Sequence, residues 1–219
     1  MDIDPLHTIS IGVATTNAKS YYKFSTCLRN LDLSFDSILP EEIFTYHGHI
    51  VFTTRKESPM KYEKVLLYED IFEYHHTVIR GMMMQKINQN FKDEDLVLGI
   101  DPGQRIGLSV FYYGQEIERS FYSSIEKLTF HIIQILGGLR AKRKILKIGD
   151  GNMEISKQIV TMLNLKFCSS FELEFVDERK TSLKIKNFNQ GGKRDMLSAK
   201  YISQRAGYRY MILPLSITG

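Results

Sequence analysis

Four acidic positions in the second half of the chain, Asp101, Asp150, Glu178 and Asp195, each adjoin a segment that reads as regular structure. The apolar run 96–100 ends in Asp101, and Pro102-Gly103 turns the chain at once. A carboxylate at the end of a buried strand is costly unless it meets a cation or strong donors. The cheapest cation for an oxygen-lined spot is a divalent metal ion. Asp150 sits in Ile148-Gly149-Asp150-Gly151, Asp177 and Glu178 follow the run 171–176, and Asp195 follows Gly191-Gly192-Lys193-Arg194. Three or four carboxylates converging would bind one or two Mg²⁺ or Mn²⁺ ions. Two such ions, about 4 Å apart, suit in-line phosphodiester cleavage. Each acid also has a plain structural use. Asp101 and Asp150 suit turns, Asp177-Glu178 beside Arg179-Lys180 suits solvated ion pairs, and Asp195 suits a helix start. Their joint arrangement is what points to chemistry.

The elements that must position these acids can be read from hydrophobic period and turn residues. Residues 7–15 read as a strand, 17–31 as a helix capped by Asn17, 50–54 and 65–68 as strands, and 74–90 as a helix. The charged run Lys92-Asp93-Glu94-Asp95 marks a boundary. Residues 1–91 form a small α/β domain with no recognisable chemistry, and residues 92–219 a second domain. In the second domain, strands are expected at 96–101, 106–113, 117–122, 144–148 and 171–176, with a hairpin turn at Gly114-Gln115. Helices are expected at 124–140, 153–163 and 194–206, the last opened by Asp195. Three meandering strands followed by two reached through helical crossovers give a mixed five-stranded sheet with helices on both faces. That is the ribonuclease H-like α/β architecture. Its first, fourth and fifth strands are parallel, so their carboxyl ends share one edge.

The net charge of +4 is unevenly spread. Residues 1–91 carry 9 Lys+Arg against 11 Asp+Glu, and residues 92–219 carry 20 against 14. A basic half suits a polyanionic partner. Arg140, Lys142 and Arg143, with Lys144 and Lys147, precede the fourth strand's acid, while Arg179, Lys180, Lys184, Lys186, Lys193 and Arg194 flank the last two acids. Such residues neutralise phosphates. Phe188 among them could stack on a base or pack on the core. The two cysteines, Cys27 and Cys168, have no CxxC spacing, so neither a zinc cluster nor a disulfide framework is expected. No apolar run approaches the roughly 18 residues of a membrane helix, and the first residues lack a secretory pattern. A reducing cytoplasm is the expected compartment. His47 and His49 are expected as surface histidines, and Met82-Met83-Met84 as core packing.

Three motifs carry a family resemblance over residues 96–210. The stretch Gly99-Ile100-Asp101-Pro102-Gly103-Gln104-Arg105-Ile106-Gly107-Leu108-Ser109 resembles the opening motif of the YqgF family, ribonuclease H-like proteins related to RuvC-type Holliday junction resolvases. Phe175-Val176-Asp177-Glu178-Arg179-Lys180-Thr181-Ser182 is similar to that family's second signature, and Arg194-Asp195-Met196-Leu197-Ser198-Ala199 to its third. The resemblance implies cleavage of structured nucleic acid, either precursor ribosomal RNA or branched DNA. It implies Asp101, Glu178 and Asp195 as metal ligands or catalytic acids, with Arg105 inside the first motif facing the substrate. Gly149-Asp150-Gly151 departs from the family's neutral Gly-x-Pro run, so Asp150 in the RuvC manner, Glu178 in the YqgF manner, or both complete the ligand set. Junction cleavage would call for a homodimer. Two other classes stay open: a non-catalytic nucleic-acid-binding module, and an ATPase of the actin/sugar-kinase type, whose phosphate loops also begin Gly-Ile-Asp-x-Gly.

Overall fold

The computed structural model describes residues 5–59, 65–88, 95–167, 171–178 and 191–210. The chain divides into two compact units, Met1–Asn90 and Phe91–Gly219. No described helix is long and apolar enough to cross a membrane.

The first unit is an open parallel sheet. Its strands β1 (Ile11–Ala14), β2 (Asp36–Ile38), β3 (Ile50–Thr53) and β4 (Val65–Leu67) lie in the order β2-β1-β3-β4. Helices α1 (Ala18–Asn30) and α2 (His76–Ile87) complete it. β1 and β3 are buried along their whole length, as a two-sided parallel sheet requires. Asn17 caps α1 by accepting from the Ser20 N–H at 2.9 Å. The first expected strand is shorter than its apolar run, because Pro5–Thr8 forms a 3₁₀ turn instead. β2 has one apolar residue in three and gave no periodic signal. Met83 and Met84 are core residues.

Open parallel sheets offer a ligand crevice where the strand order reverses, here between β1 and β3. In this unit the chain fills that place itself. The Glu57 carboxylate accepts from the Thr16 N–H (2.7 Å) and from the hydroxyls of Thr15 (2.5 Å), Thr16 (2.6 Å) and Thr54 (2.7 Å). Burial pushes its pKa up, but these donors outweigh burial and take it down to about 2.

Among the described residues, the second unit holds a mixed sheet of six strands rather than five. β5 (Asp95–Pro102), β6 (Ile106–Tyr112), β7 (Gln115–Tyr122), β8 (Arg143–Gly149), β9 (Glu172–Val176) and β10 (Tyr208–Tyr210) lie in the order β10-β9-β8-β5-β6-β7. β5, β8 and β9 are parallel, and β6, β7 and β10 pair antiparallel with their neighbours. The β6–β7 hairpin turns at Tyr113-Gly114, one residue earlier than the sequence suggested. Both residues have positive φ (51° and 73°), which a two-residue hairpin turn demands. Helices α3 (Ile125–Gly138) and α4 (Met153–Phe167) pack together and onto β7 and β5 respectively.

The last helix, α5 (Gly191–Gln204), starts three residues before its expected start, so Asp195 lies inside it rather than at its cap. α5 lies against β5 and β6 with almost no side chain between. A Cβ on Gly99 would sit 2.3 Å from the Ala199 carbonyl oxygen, and one on Gly107 would sit 2.1 Å from the Asp195 carbonyl oxygen. Asp195, Ala199 and Ser203 recur at four-residue spacing and so share one helix face. Along β5, Gly99 and Asp101 alternate with the fully buried Leu98 and Ile100, which point to the opposite face of the sheet.

These contacts generate a stability prediction. Gly107→Val places branched bulk against the α5 backbone, which cannot yield as a flexible side chain can, so a loss of about 3 kcal/mol is expected. Gly137→Ala, on an α3 position with open space around it, is expected to gain about 0.5–1 kcal/mol. Thermal denaturation of the two variants beside the parent chain checks both signs.

Candidate metal-binding carboxylate site

Parallel pairing brings the carboxyl ends of β5, β8 and β9 to one edge of the sheet. Asp101 is the penultimate residue of β5, Asp150 follows β8, and Glu178 lies two residues past β9. The ladder continues beyond the strands, with the Asp150 N–H donating to the Val176 carbonyl at 3.1 Å. The Glu178 N–H then donates to Asp150 Oδ1 at 3.0 Å, which ties the two acid-bearing segments together.

Glycines decide where the Glu178 carboxylate goes. A Cβ on Gly149 would lie 1.8 Å from Glu178 Oε1, and one on Gly151 would lie 2.2 Å from Oε2. The side chain therefore occupies the space that two absent Cβ atoms leave, and it accepts from the Gly151 N–H. The Gly-Asp-Gly run is thus a cradle for the neighbouring strand's glutamate as well as a turn. Downstream, Asn152 opens α4 by accepting from the Ile155 N–H at 3.2 Å, and the Ser156 hydroxyl lies 3.2 Å from the Gly149 carbonyl oxygen.

α5 delivers the fourth acid. Asp101 is paired with Gly107 across the β5–β6 ladder, and the Asp195 backbone rests on Gly107. Ser198, one helical turn beyond Asp195, donates from its hydroxyl to Asp101. Sequence reading passed over Ser198, although its three-residue spacing from Asp195 places both on the face turned to β5.

The electrostatics register this crowding. Burial first, then the Glu178 charge, push the Asp101 pKa up to about 7, with Asp195 adding to the rise. The Ser198 hydroxyl and the Arg194 charge only partly oppose it. Burial and the neighbouring Asp150 also raise Glu178. Burial raises Asp195, against the pull of Arg105 and Arg194. The four acids named from the sequence are thus electrostatically linked in series. Asp177 is exposed beside them.

The cations divide differently. Arg105, Lys193 and Arg194 are exposed, and Arg105 and Arg194 act on the acids. Arg140, Lys142 and Arg143 do not belong with them. They precede or open the seven-residue strand β8, whose other end leads to Asp150, about 20 Å away at the usual rise. Arg143 is held there by Glu172 (2.8 Å) and Asp95 (3.3 Å). Lys144 and Lys147 point into the structure, donating to the carbonyls of Leu136 and Arg205. Sequence adjacency to an acid misled here, because a strand carries its two ends to opposite edges. Arg179, Lys180, Lys184, Lys186 and Phe188 lie outside the described residues. His47 and His49 are exposed, and His49 Nδ1 accepts from the Ser10 N–H at 3.1 Å.

No family model and no curated protein matches the chain. Among solved structures it is similar to Aa-Ago crystallised with externally bound siRNA, at 10% identity and a TM-score of 0.26, over 77% of this chain and 35% of that one. The functional reading therefore rests on the chain's own residues.

The raised Asp101 pKa has a measurable consequence. An aspartate in the unfolded chain titrates near its ordinary value of 3.8, whereas in the folded protein Asp101 holds its proton to about 7. Stability from this group is full below the lower value and is lost as pH rises through the upper one. Asp101→Asn is therefore expected to raise the thermal midpoint in EDTA at pH 8, by about 2–4 °C for each kcal/mol of penalty removed. The gain should close toward pH 4. Melting curves across that pH range check the sign.

Proposed function

We propose that this chain is a metal-dependent nuclease that hydrolyses phosphodiester bonds in structured nucleic acid, with a ribonuclease H-like second unit. The observation that carries the reading is the gathering of Asp101, Asp150, Glu178 and Asp195 at one sheet edge, with their charges acting on one another. The resemblance of the three sequence motifs to the YqgF and RuvC-type proteins supports the same reading. So does the strand order β7-β6-β5-β8-β9, which is the order expected of that architecture.

The donor set fits hard divalent cations. It offers carboxylate oxygens without histidine or cysteine, as Mg²⁺ and Mn²⁺ prefer. Asp101, which feels the charges of both Glu178 and Asp195, would hold the cation together with Glu178, Asp150 and Asp195. The bound ions would supply activation of water and stabilisation of the leaving oxygen. The chain's own groups do the rest. Arg105 and Arg194 stand outside the acids, where they would hold the flanking phosphates and align the strand. Ser198, on α5, donates its hydroxyl to the Asp101 carboxylate and so limits the rotation of that side chain.

The alternative class is a nucleic-acid-binding module without cleavage. One panel separates the two: single-stranded RNA, a ribosomal precursor fragment, a four-way DNA junction and linear duplex, each in Mg²⁺ and Mn²⁺. The nuclease reading expects cutting of at least one substrate and a loss of at least a hundredfold in Asp101→Asn. Salt-sensitive binding with no cutting by the parent chain would replace it with the binding module.

A further inference from the structure

Phe121 lies beside the acid cluster on the same face of the sheet. It sits on the edge strand β7, where the register pairs it with Gly107, and Gly107 in turn pairs with Asp101. The three residues form one row across three strands, so Asp101 and Phe121 point the same way. Two strand spacings separate them, roughly 10 Å. Gly107 contributes no side chain to the gap, and the Asp195 backbone fills it.

Exposure alone argues for nothing, since scattered surface aromatics are ordinary. The setting of this ring is more specific. Its inner side is backed by Gly192 in the first turn of α5, where a Cβ would lie 2.9 Å from Phe121 Cε1. The residue is 48% exposed, so part of the ring remains open to solvent. The Arg105 guanidinium stands over the ring, 5.9 Å from its centroid, and the same Arg105 acts on Asp195. An acid pair, a cation and a flat apolar ring thus follow one another along the sheet edge.

We infer that Phe121 stacks on a nucleobase next to the scissile phosphate and that Arg105 holds the phosphate of that nucleotide. This rests on the nuclease reading, and it narrows the substrate. Inside a duplex both faces of a base are covered by its stacked neighbours, so the ring reaches a base only where that stack is broken. The substrate is therefore nucleic acid with an unpaired nucleotide at the cut: a single strand, a loop, a bulge or a junction arm. Stacking is indifferent to the sugar, so RNA and DNA share this chemistry.

The chain contains no tryptophan, so Phe121→Trp installs a single fluorescent reporter in the full-length protein. It is titrated with single-stranded RNA, single-stranded DNA of the same sequence and blunt duplex, with Ca²⁺ in place of Mg²⁺. Phe121→Leu is the companion variant, keeping apolar bulk against Gly192 while removing the ring. The inference expects strong quenching by single strands and little by duplex, with the RNA and DNA arms identifying the preferred sugar. It also expects Phe121→Leu to bind single strands about tenfold more weakly at an unchanged thermal midpoint. That loss should vanish for an oligonucleotide made of abasic residues. Unquenched binding at saturation, together with full affinity in Phe121→Leu, overturns the stacking role and leaves the nuclease reading standing. Absence of binding by any variant to any strand overturns both.

Discussion

Carboxylates crowded at one sheet edge repel one another, and the second unit's fold is what holds them together. Burial and mutual repulsion both disfavour the charged forms, so the cluster is least comfortable when fully ionised and without a cation. Asp101 shows this most, with its pKa pushed up to about 7. A fold under no functional demand relieves such strain by moving one acid to solvent. Here the exits are closed by backbone. β5, β8 and β9 are locked in parallel register, and α5 lies flat on Gly99 and Gly107.

Glycine does much of this positioning by omission. Gly149 and Gly151 leave room for the Glu178 carboxylate, Gly107 for the Asp195 backbone, and Gly99 for the middle of α5. Each site would admit no β-carbon at the distances present. The acids are thus placed by close backbone approach more than by hydrogen bonds between side chains. The first unit takes the opposite course with its strand-end carboxylate. Glu57 is saturated by three hydroxyls and a backbone N–H and titrates at about 2. A satisfied carboxylate such as Glu57 reads as a structural clasp, and a frustrated group such as Asp101 reads as a site.

Much of this was legible in the sequence because strand-end acids obey a simple rule. An apolar run ending in an acid, repeated on strands joined by helical crossovers, sends the acids to one edge, and Asp101, Asp150 and Glu178 followed it. What escaped was set by geometry that spacing does not encode. Tyr208–Tyr210 pairs with β9 as a sixth strand, yet three exposed residues give no period. Gly191 and Gly192 are poor helix formers, so the true start of α5 was hidden. Arg140, Lys142 and Arg143 stood near Asp150 in sequence but occupy the far end of the strand. Phe121 came into view only through register, two ladders away from Asp101.

The proposed activity requires that these four carboxylates form one divalent-cation site. Calorimetric titration of Mn²⁺ into the metal-free chain at pH 8, beside Glu178→Gln and Asp195→Asn, tests it most directly. Saturable binding of one or two ions is expected in the parent chain, with at least tenfold weaker binding in each variant. Absence of saturable binding, or equal binding by all three proteins, would contradict it.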